Sequence, residues 1–337
     1  MSPGATTDGP GAGILSVDEA EALLAQPTLD LEFGALRDAP VLVVDDAHRL
    51  PDEVEATLSA LPAISVGIAP AGTAPGFDVL VDDVDATLPI TEAVAANPLA
   101  SLTCCQVLRH APWPSTGAGL LVESTAYGTL QAGPEFARWL AGRGRRVRPE
   151  EPAPPVLVHG DDSQVVLTLN RPRLRNAWSA TMRDALVDAL RALAAVDENG
   201  RTDGRQIRLE GAGSAFCCGG DPAEFGTVDD PATAHLVRSS ANAAPWLDRL
   251  ADRLTAVVHG PAVGAGVELA AFAGRIEATG NATFRLPEVS MGLLPGAGGT
   301  VSVPRRIGRQ RTAWLCLTGA TIDAATALDW SLIDRVV

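Results

Sequence analysis

Two glycine-rich turns, each set between a strand-like run and a helical stretch, constrain this chain more than any other feature. The first reads Gly211-Ala212-Gly213-Ser214-Ala215-Phe216-Cys217-Cys218-Gly219-Gly220-Asp221 and follows a strand-like run at 206–210. The second reads His259-Gly260-Pro261-Ala262-Val263-Gly264-Ala265-Gly266-Val267-Glu268 and follows another at 255–259. Strand, glycine turn and helix in alternation argue for an α/β domain on a largely parallel sheet. Glycine lets the backbone turn sharply and leaves amide N–H groups uncovered. Such amides beside a helix start favour developing negative charge. Two turns of this kind can aim one N–H each at a single oxygen, as an oxyanion hole does. Taken singly, each reads first as an ordinary strand-to-helix loop.

Around them, residues 156–159 and 164–169 form short apolar runs about Gly160-Asp161-Asp162, the pattern of a hairpin. Residues 179–196 read as a helix capped by Ser179, with Met182, Leu186, Leu190 and Leu193 at helical spacing. A further helical stretch ends near Leu254, and another helix begins near Val267. The seam of the chain is Arg148-Pro149-Glu150-Glu151-Pro152-Ala153-Pro154-Pro155, whose prolines continue neither a helix nor a central strand. It divides an amino-terminal domain at 1–148 from a core at 156–337, with 149–155 as linker. In front of it, 40–44 and 63–68 read as strands and 51–61 as helix. Residues 88–146 read as mostly helical, broken at Pro112-Trp113-Pro114. That half shows no polar cluster suited to chemistry, and its role is expected to be structural.

At 337 residues, 46% of them apolar, the chain has enough material for two domains and a sizeable core. Acidic residues outnumber basic ones 41 to 26, a net charge of −15, which repels nucleic-acid phosphates. No uncharged apolar stretch is long enough to span a membrane. The first residues lack the basic flank and apolar run of a secretion signal and read as a mobile tail. Five cysteines without a C-x-x-C pattern suggest neither a disulfide framework nor a zinc site, which fits a reducing cytoplasm. No lysine occurs, so every fixed positive side chain is an arginine.

Two glutamates stand in apolar company. Glu268 lies among Val267, Leu269, Ala270, Ala271, Phe272 and Ala273, and Glu288 within Phe284-Arg285-Leu286-Pro287-Glu288-Val289. A lone buried carboxylate is costly. Two facing one pocket push at least one proton affinity upward, which sets a general acid beside a general base. Each alone is also compatible with a carboxylate at the edge of an apolar element.

From about residue 165 the chain resembles the crotonase (enoyl-CoA hydratase/isomerase) superfamily. The likeness rests on four segments in order: LNRPRLRNAWSATMRDAL, GAGSAFCCGGDPAEF, VVHGPAVGAGVELAAFAGRIEA and FRLPEVSMGLLPGAGGTVSVPRRIG. It implies repeated ββα units in a superhelical sheet, with an acyl-CoA thioester carbonyl held between two backbone amides. Matched residue by residue, the donors are Gly220 and Ala265, the latter a place where the family often has glycine. Glu268 and Glu288 match the two catalytic glutamates of the hydratases. The resemblance also implies substrate or CoA contacts at Arg175, Ala177, Cys218, Asp221 and Pro222. In the absence of lysine, phosphate contacts fall to arginines such as Arg173 or Arg175. The implied activity is hydration of an α,β-enoyl-CoA, with a double-bond isomerase or a non-catalytic crotonase-like partner subunit as alternatives. The CoA thioester is substrate, and no permanently bound cofactor or metal is expected. The resemblance further implies a homo-oligomer, trimer or hexamer, with no nucleic-acid or membrane partner.

His259 reads as a hydrogen-bonded structural residue, and His235 as lying on a variable segment near the acyl pocket. Cys217 and Cys218 read as small apolar residues under the turn, Trp178 and Trp314 as core. The family's closing helices normally follow a segment like Trp330-Ser331-Leu332-Ile333-Asp334-Arg335-Val336. Here the sequence resembling them sits in the amino-terminal half. Phe77-Asp78-Val79-Leu80-Val81-Asp82-Asp83-Val84 echoes that segment, and stretches at 90–109 and 123–143 resemble the helices after it. The expectation is a degenerate crotonase unit at 1–146 whose helices cover the second unit's pocket, in the same chain or a neighbour. An unrelated helical domain is the alternative.

Overall fold

The structure is a computed structural model that describes residues 13–26, 40–144, 154–195, 203–228 and 230–337. Residues 1–12 and most of the proline-rich linker, 149–153, therefore lie outside the described residues. The strands in chain order are β1 (Ile14–Leu15), β2 (Val41–Val44), β3 (Ile64–Ile68), β4 (Val79–Val81), β5 (Val156–Gly160), β6 (Gln164–Leu169), β7 (Gln206–Gly211), β8 (Leu254–Val258), β9 (Pro261–Val263), β10 (Arg275–Ala278), β11 (Thr283–Arg285), β12 (Ile322–Asp323) and β13 (Arg335–Val336).

They form three sheets. β1 to β4 pair in sequence order, all parallel. The main sheet runs β13-β10-β8-β7-β6-β5, parallel except for the antiparallel β5–β6 hairpin. A small third sheet orders β12-β11-β9. β8 is buried on both faces along almost its whole length, as a strand between helical layers is, whereas β7 alternates buried Ile207 and Leu209 with half-buried Arg208 and Glu210. The helix Ala180–Ala194 starts where Ser179 Oγ accepts the Met182 amide, and buries Met182, Leu186, Leu190 and Leu193 on one stripe.

The amino-terminal helices Leu88–Ala96, Pro98–Arg109, Thr116–Gln131 and Pro134–Arg143 pack onto this core instead of standing apart. One continuous apolar cluster joins Ile90, Cys104, Leu108 and Phe136 to Leu167, Phe216, Leu269 and Leu315. The long helix Gly299–Thr318, kinked at Gly308 (φ +79°), packs against three of them. Polar ties reinforce the seam. Trp113 Nε1 donates to the Thr300 carbonyl at 3.1 Å, and Gln310 Nε2 donates to the carbonyls of Ala74 and Phe77 at 2.9 and 3.0 Å. Buried Arg109 grips Asp78 through two nitrogens and the carbonyls of Ser59, Leu61 and Ala63 through the rest. It fixes the helices to the first sheet.

Candidate functional site

The two glycine turns lie side by side. Cys217 pairs with Ala262 in a parallel bridge, and the Val263 amide donates to the Cys217 carbonyl at 2.9 Å. Gly219 (φ +84°) and Gly264 (φ +50°) then face one another so closely that a Cβ on Gly219 would meet the Val263 carbonyl at 3.1 Å. Glycine is required at both places by conformation and by space.

Beyond this contact the chains diverge. Trp178 donates its amide to the Gly219 carbonyl, and its own carbonyl accepts from Asp221, at 2.7 and 2.8 Å. That parallel pairing skips the N–H of Gly220. Ala265 opens the helix Ala265–Ala270, where the first amides have no partner within the helix. Among the described residues, no turn or loop carbonyl takes up either N–H. Both residues line one cavity of about 250 Å³.

Glu268 and Glu288 line the same cavity. Glu268, 2% exposed, accepts the amides of Ala297 and Gly299 on Oε2 at 2.6 and 2.8 Å. Burial pushes its proton affinity up to about 7 against the opposing pull of those amides. Glu288 begins a short turn after Pro287, and its carboxyl lies against Gly264. Its Oε2 is shielded from solvent and has no hydrogen-bond partner. Burial first, then the neighbouring Glu268, lift its affinity well above the ordinary carboxylate range. The two cannot readily ionise together. Near neutral pH the cavity thus holds one carboxylate able to take a proton and one carboxyl able to give one.

The other sequence-derived residues divide. Asp221 lines the cavity, but its carboxylate is ion-paired to Arg171 at 2.8 Å, both side chains 4% exposed. Arg175 (φ +50°), Arg173 and Pro222 are exposed outside the cavity lining, Ala177 is buried, and the Cys218 amide donates to the Arg175 carbonyl at 3.0 Å. Cys217 is buried and Cys218 half-buried; all five cysteines are free. His259 Nε2 donates to the Gly213 carbonyl, 3.0 Å away, and His235 Nδ1 meets Ser124 Oγ at 2.9 Å. Trp178 packs against the apolar core and also forms a wall of the cavity, whereas Trp314 packs edge-on against Trp330. Among the described residues, no group of three or more His, Cys, Asp or Glu is placed to hold a metal ion, and no helix is long and apolar enough to cross a membrane.

Residues of the amino-terminal half reach the cavity. The helix Thr116–Gln131 lines the cavity with Tyr127 and Gln131. One turn before Tyr127, Glu123 is 2% exposed and accepts from the amides of Gly298 and Thr300 at 2.8 and 2.9 Å and from Thr300 Oγ1 at 2.7 Å. Glu123 and Glu268 therefore take alternate amides of one turn, 297–300. Burial, then the charge of Glu268, raise Glu123 to about 8. The signal for it was present: Glu123 is the one charged residue in a sixteen-residue helix.

A family model described as enoyl-CoA hydratase/isomerase matches residues 160–337. An enoyl-CoA isomerase/hydratase of Mycosarcoma maydis is 34% identical over 174 residues, 50% of this chain and 64% of that one. The protein called "probable enoyl-CoA hydratase" of Mycobacterium leprae is 34% identical over 186 residues, 54% of this chain and 68% of that one. The chain thus spans about two thirds of the length of these relatives. A solved enoyl-CoA hydratase of Mycobacterium smegmatis matches with a TM-score of 0.49 at 32% identity, over 55% of this chain and 70% of that one. With more than half of its residues inside the family model, and both glycine turns and both cavity glutamates within that span, the chain belongs to the enoyl-CoA hydratase/isomerase family.

Proposed function

We propose that this cavity hydrates an α,β-enoyl-CoA thioester. The observation that carries the reading is the convergence of two unclaimed amides, Gly220 and Ala265, with two carboxyls of raised proton affinity in one cavity. A thioester oxygen between the amides gains negative charge as the enolate forms. The hydrogen bonds strengthen only as that charge develops, which is differential transition-state binding. Glu268, anchored by two amides, takes a proton from the water that adds at Cβ, and Glu288 delivers a proton to Cα. The thioester is substrate, so no resident cofactor is needed. Exposed Arg173 and Arg175 offer bidentate forks to CoA phosphates.

The closing role of the amino-terminal helices belongs to the same proposal. We read 1–148, 149–155 and 156–337 as a degenerate family unit, a linker and the catalytic core, working as one site. Tyr127 and Gln131 in the cavity wall support this. Free cysteines support a reducing, cytoplasmic setting. Assembly into a homo-oligomer follows the family resemblance, and light scattering measures it.

Incubation with crotonyl-CoA tests the activity. Loss of the conjugated enoyl absorbance is expected, with Glu268→Gln lowering turnover by about 10²–10⁴ while thioester binding persists. Gain of that absorbance from a β,γ-enoyl thioester, without hydration, would replace the reading by isomerisation. Silence with both, across several chain lengths, would leave a non-catalytic partner subunit.

A further inference from the structure

Among the charged groups of the cavity wall that the proposed chemistry does not use, Arg238 stands out. Arg238, on the helix Pro231–Ser240, lines the cavity beside Tyr127. Its Nε donates to Ser124 Oγ at 3.2 Å, Nη1 to Gln131 Oε1 at 3.2 Å, and Nη2 to the Ser124 carbonyl at 3.3 Å. Its guanidinium carbon stands 4.5 Å from the centroid of the Tyr127 ring. Every one of these partners is neutral. Among the described residues no carboxylate forms an ion pair with it, whereas Arg183, another arginine of the wall, is paired with Asp184 at 2.8 Å. Glu123, whose charge it feels, is turned toward the amides of Gly298 and Thr300.

This arrangement orients the guanidinium and leaves its charge uncompensated. A guanidinium carries five N–H donors. Three are engaged, so one N–H on each Nη remains, a pair suited to bidentate capture of a carboxylate. A partly buried cation without a counter-charge is costly. Burial accordingly lowers its proton affinity. In a chain with 41 acidic residues, a missing partner is not explained by scarcity.

Position selects the part of the substrate concerned. The Tyr127 ring packs on Gly296, next to Ala297, whose amide holds Glu268. Arg238 is thus one ring away from the turn that anchors the proposed base. Arg175 and Ala177, matched to CoA contacts, belong to the loop whose Trp178 pairs with Gly220. A thioester held at Gly220 and Ala265 with its CoA arm over that loop directs its acyl arm toward Tyr127 and Arg238.

We propose that Arg238 is a specificity-determining residue that binds a carboxylate at the far end of the acyl chain, so that the preferred substrates are enoyl-CoA thioesters of dicarboxylic acids. This deepens the reading above and rests on it. The test compares kcat/KM for trans-2-enoyl-CoA thioesters of four, six and eight acyl carbons, each with a methyl or a carboxylate terminus. At one length or more, the carboxylate form is expected to be favoured about 10- to 100-fold, the scale of a charge-assisted pair. Arg238→Gln collapses that ratio toward one, chiefly through KM, and Arg238→Lys, which keeps charge without the fork, restores part of it. Equal or better use of the methyl-ended thioesters at every length overturns the proposal. If no thioester reacts, the hydratase reading fails. Calorimetric binding of the matching saturated thioesters then decides Arg238 alone: a tenfold preference for the carboxylate form, lost in folded Arg238→Gln, upholds it, and its absence rejects it.

Discussion

Glu123→Gln isolates what the amino-terminal half contributes to the site. The carboxylate accepts three hydrogen bonds, from Gly298 N, Thr300 N and Thr300 Oγ1. An amide of the same shape has one acceptor oxygen and turns an NH2 toward the remaining donors. At least one buried N–H then loses its partner, at about 1–3 kcal/mol. For a protein of this size that lowers the melting temperature by a few degrees. The larger effect is expected on turnover, because Ala297 and Gly299 of the same turn hold Glu268. Misplacing a catalytic group by about 1 Å costs on the order of 100-fold, so kcat falls 10- to 100-fold with KM little changed. The pH profile supplies the discriminating readout. Glu268 must be ionised to act as base, so activity rises with pH through about 7. Glu123 ionises after it, near 8, against the charge already on Glu268. In Glu123→Gln the limb near 7 stays, because Glu123 is still neutral when Glu268 titrates, and any change near 8 vanishes. The measurement is kcat from pH 5.5 to 9.5 in both proteins, with thermal melts alongside. An unchanged kcat, or displacement of the lower limb by more than about one unit, would refute the reasoning.

Three other outcomes follow from the same geometry. Gly264→Ala places a methyl group against the Glu288 carboxyl at a left-handed φ of +50°, and is expected to abolish turnover while the far-ultraviolet circular dichroism stays native. Arg109→Met removes the 2.7 Å partner of buried Asp78 and leaves only Arg309, 3.9 Å away, as its counter-charge, at less than the roughly 3–5 kcal/mol of a fully uncompensated buried charge, read as an earlier denaturation midpoint. Glu288→Gln removes a carboxyl whose affinity is raised by burial. Such a group stabilises the fold least at high pH, because the unfolded chain ionises first. The variant should therefore lose activity yet gain stability relative to the parent as pH rises above about 4.5.

The sequence showed most clearly what local chemistry dictates. Ser179 announced the helix it caps, the Gly160-Asp161-Asp162 turn announced the β5–β6 hairpin, and the glycine turns announced strand-to-helix corners. Both cavity glutamates were visible because a carboxylate inside an apolar run has no other economical place. The three-residue strands of the small third sheet were not visible, since periodicity needs more residues than Pro261–Val263 or Thr283–Arg285 supply. The partners of Glu123 were hidden for a different reason. Its three donors, on Gly298 and Thr300, lie about 175 residues away, and no local pattern reports a partner at that separation.

That separation also bears on the proposed role of the helices in front of the core. A turn such as 297–300 buries four consecutive amides beside the cavity, and unpaired buried amides cost free energy. Glu268 satisfies two of them, at Ala297 and Gly299. The other two point away from it, toward the helix Thr116–Gln131, and only a long acceptor from that side can reach them. Removing this helix would expose the outer amides to water and free the turn to move, and with it the base it carries. The closing element is therefore needed wherever it stands in the sequence. Deletion of residues 13–144 from the full chain should abolish turnover even when Glu268, Glu288 and both glycine turns remain. Activity at the parental level in that shortened protein, if it folds, would show that the turn holds its shape alone.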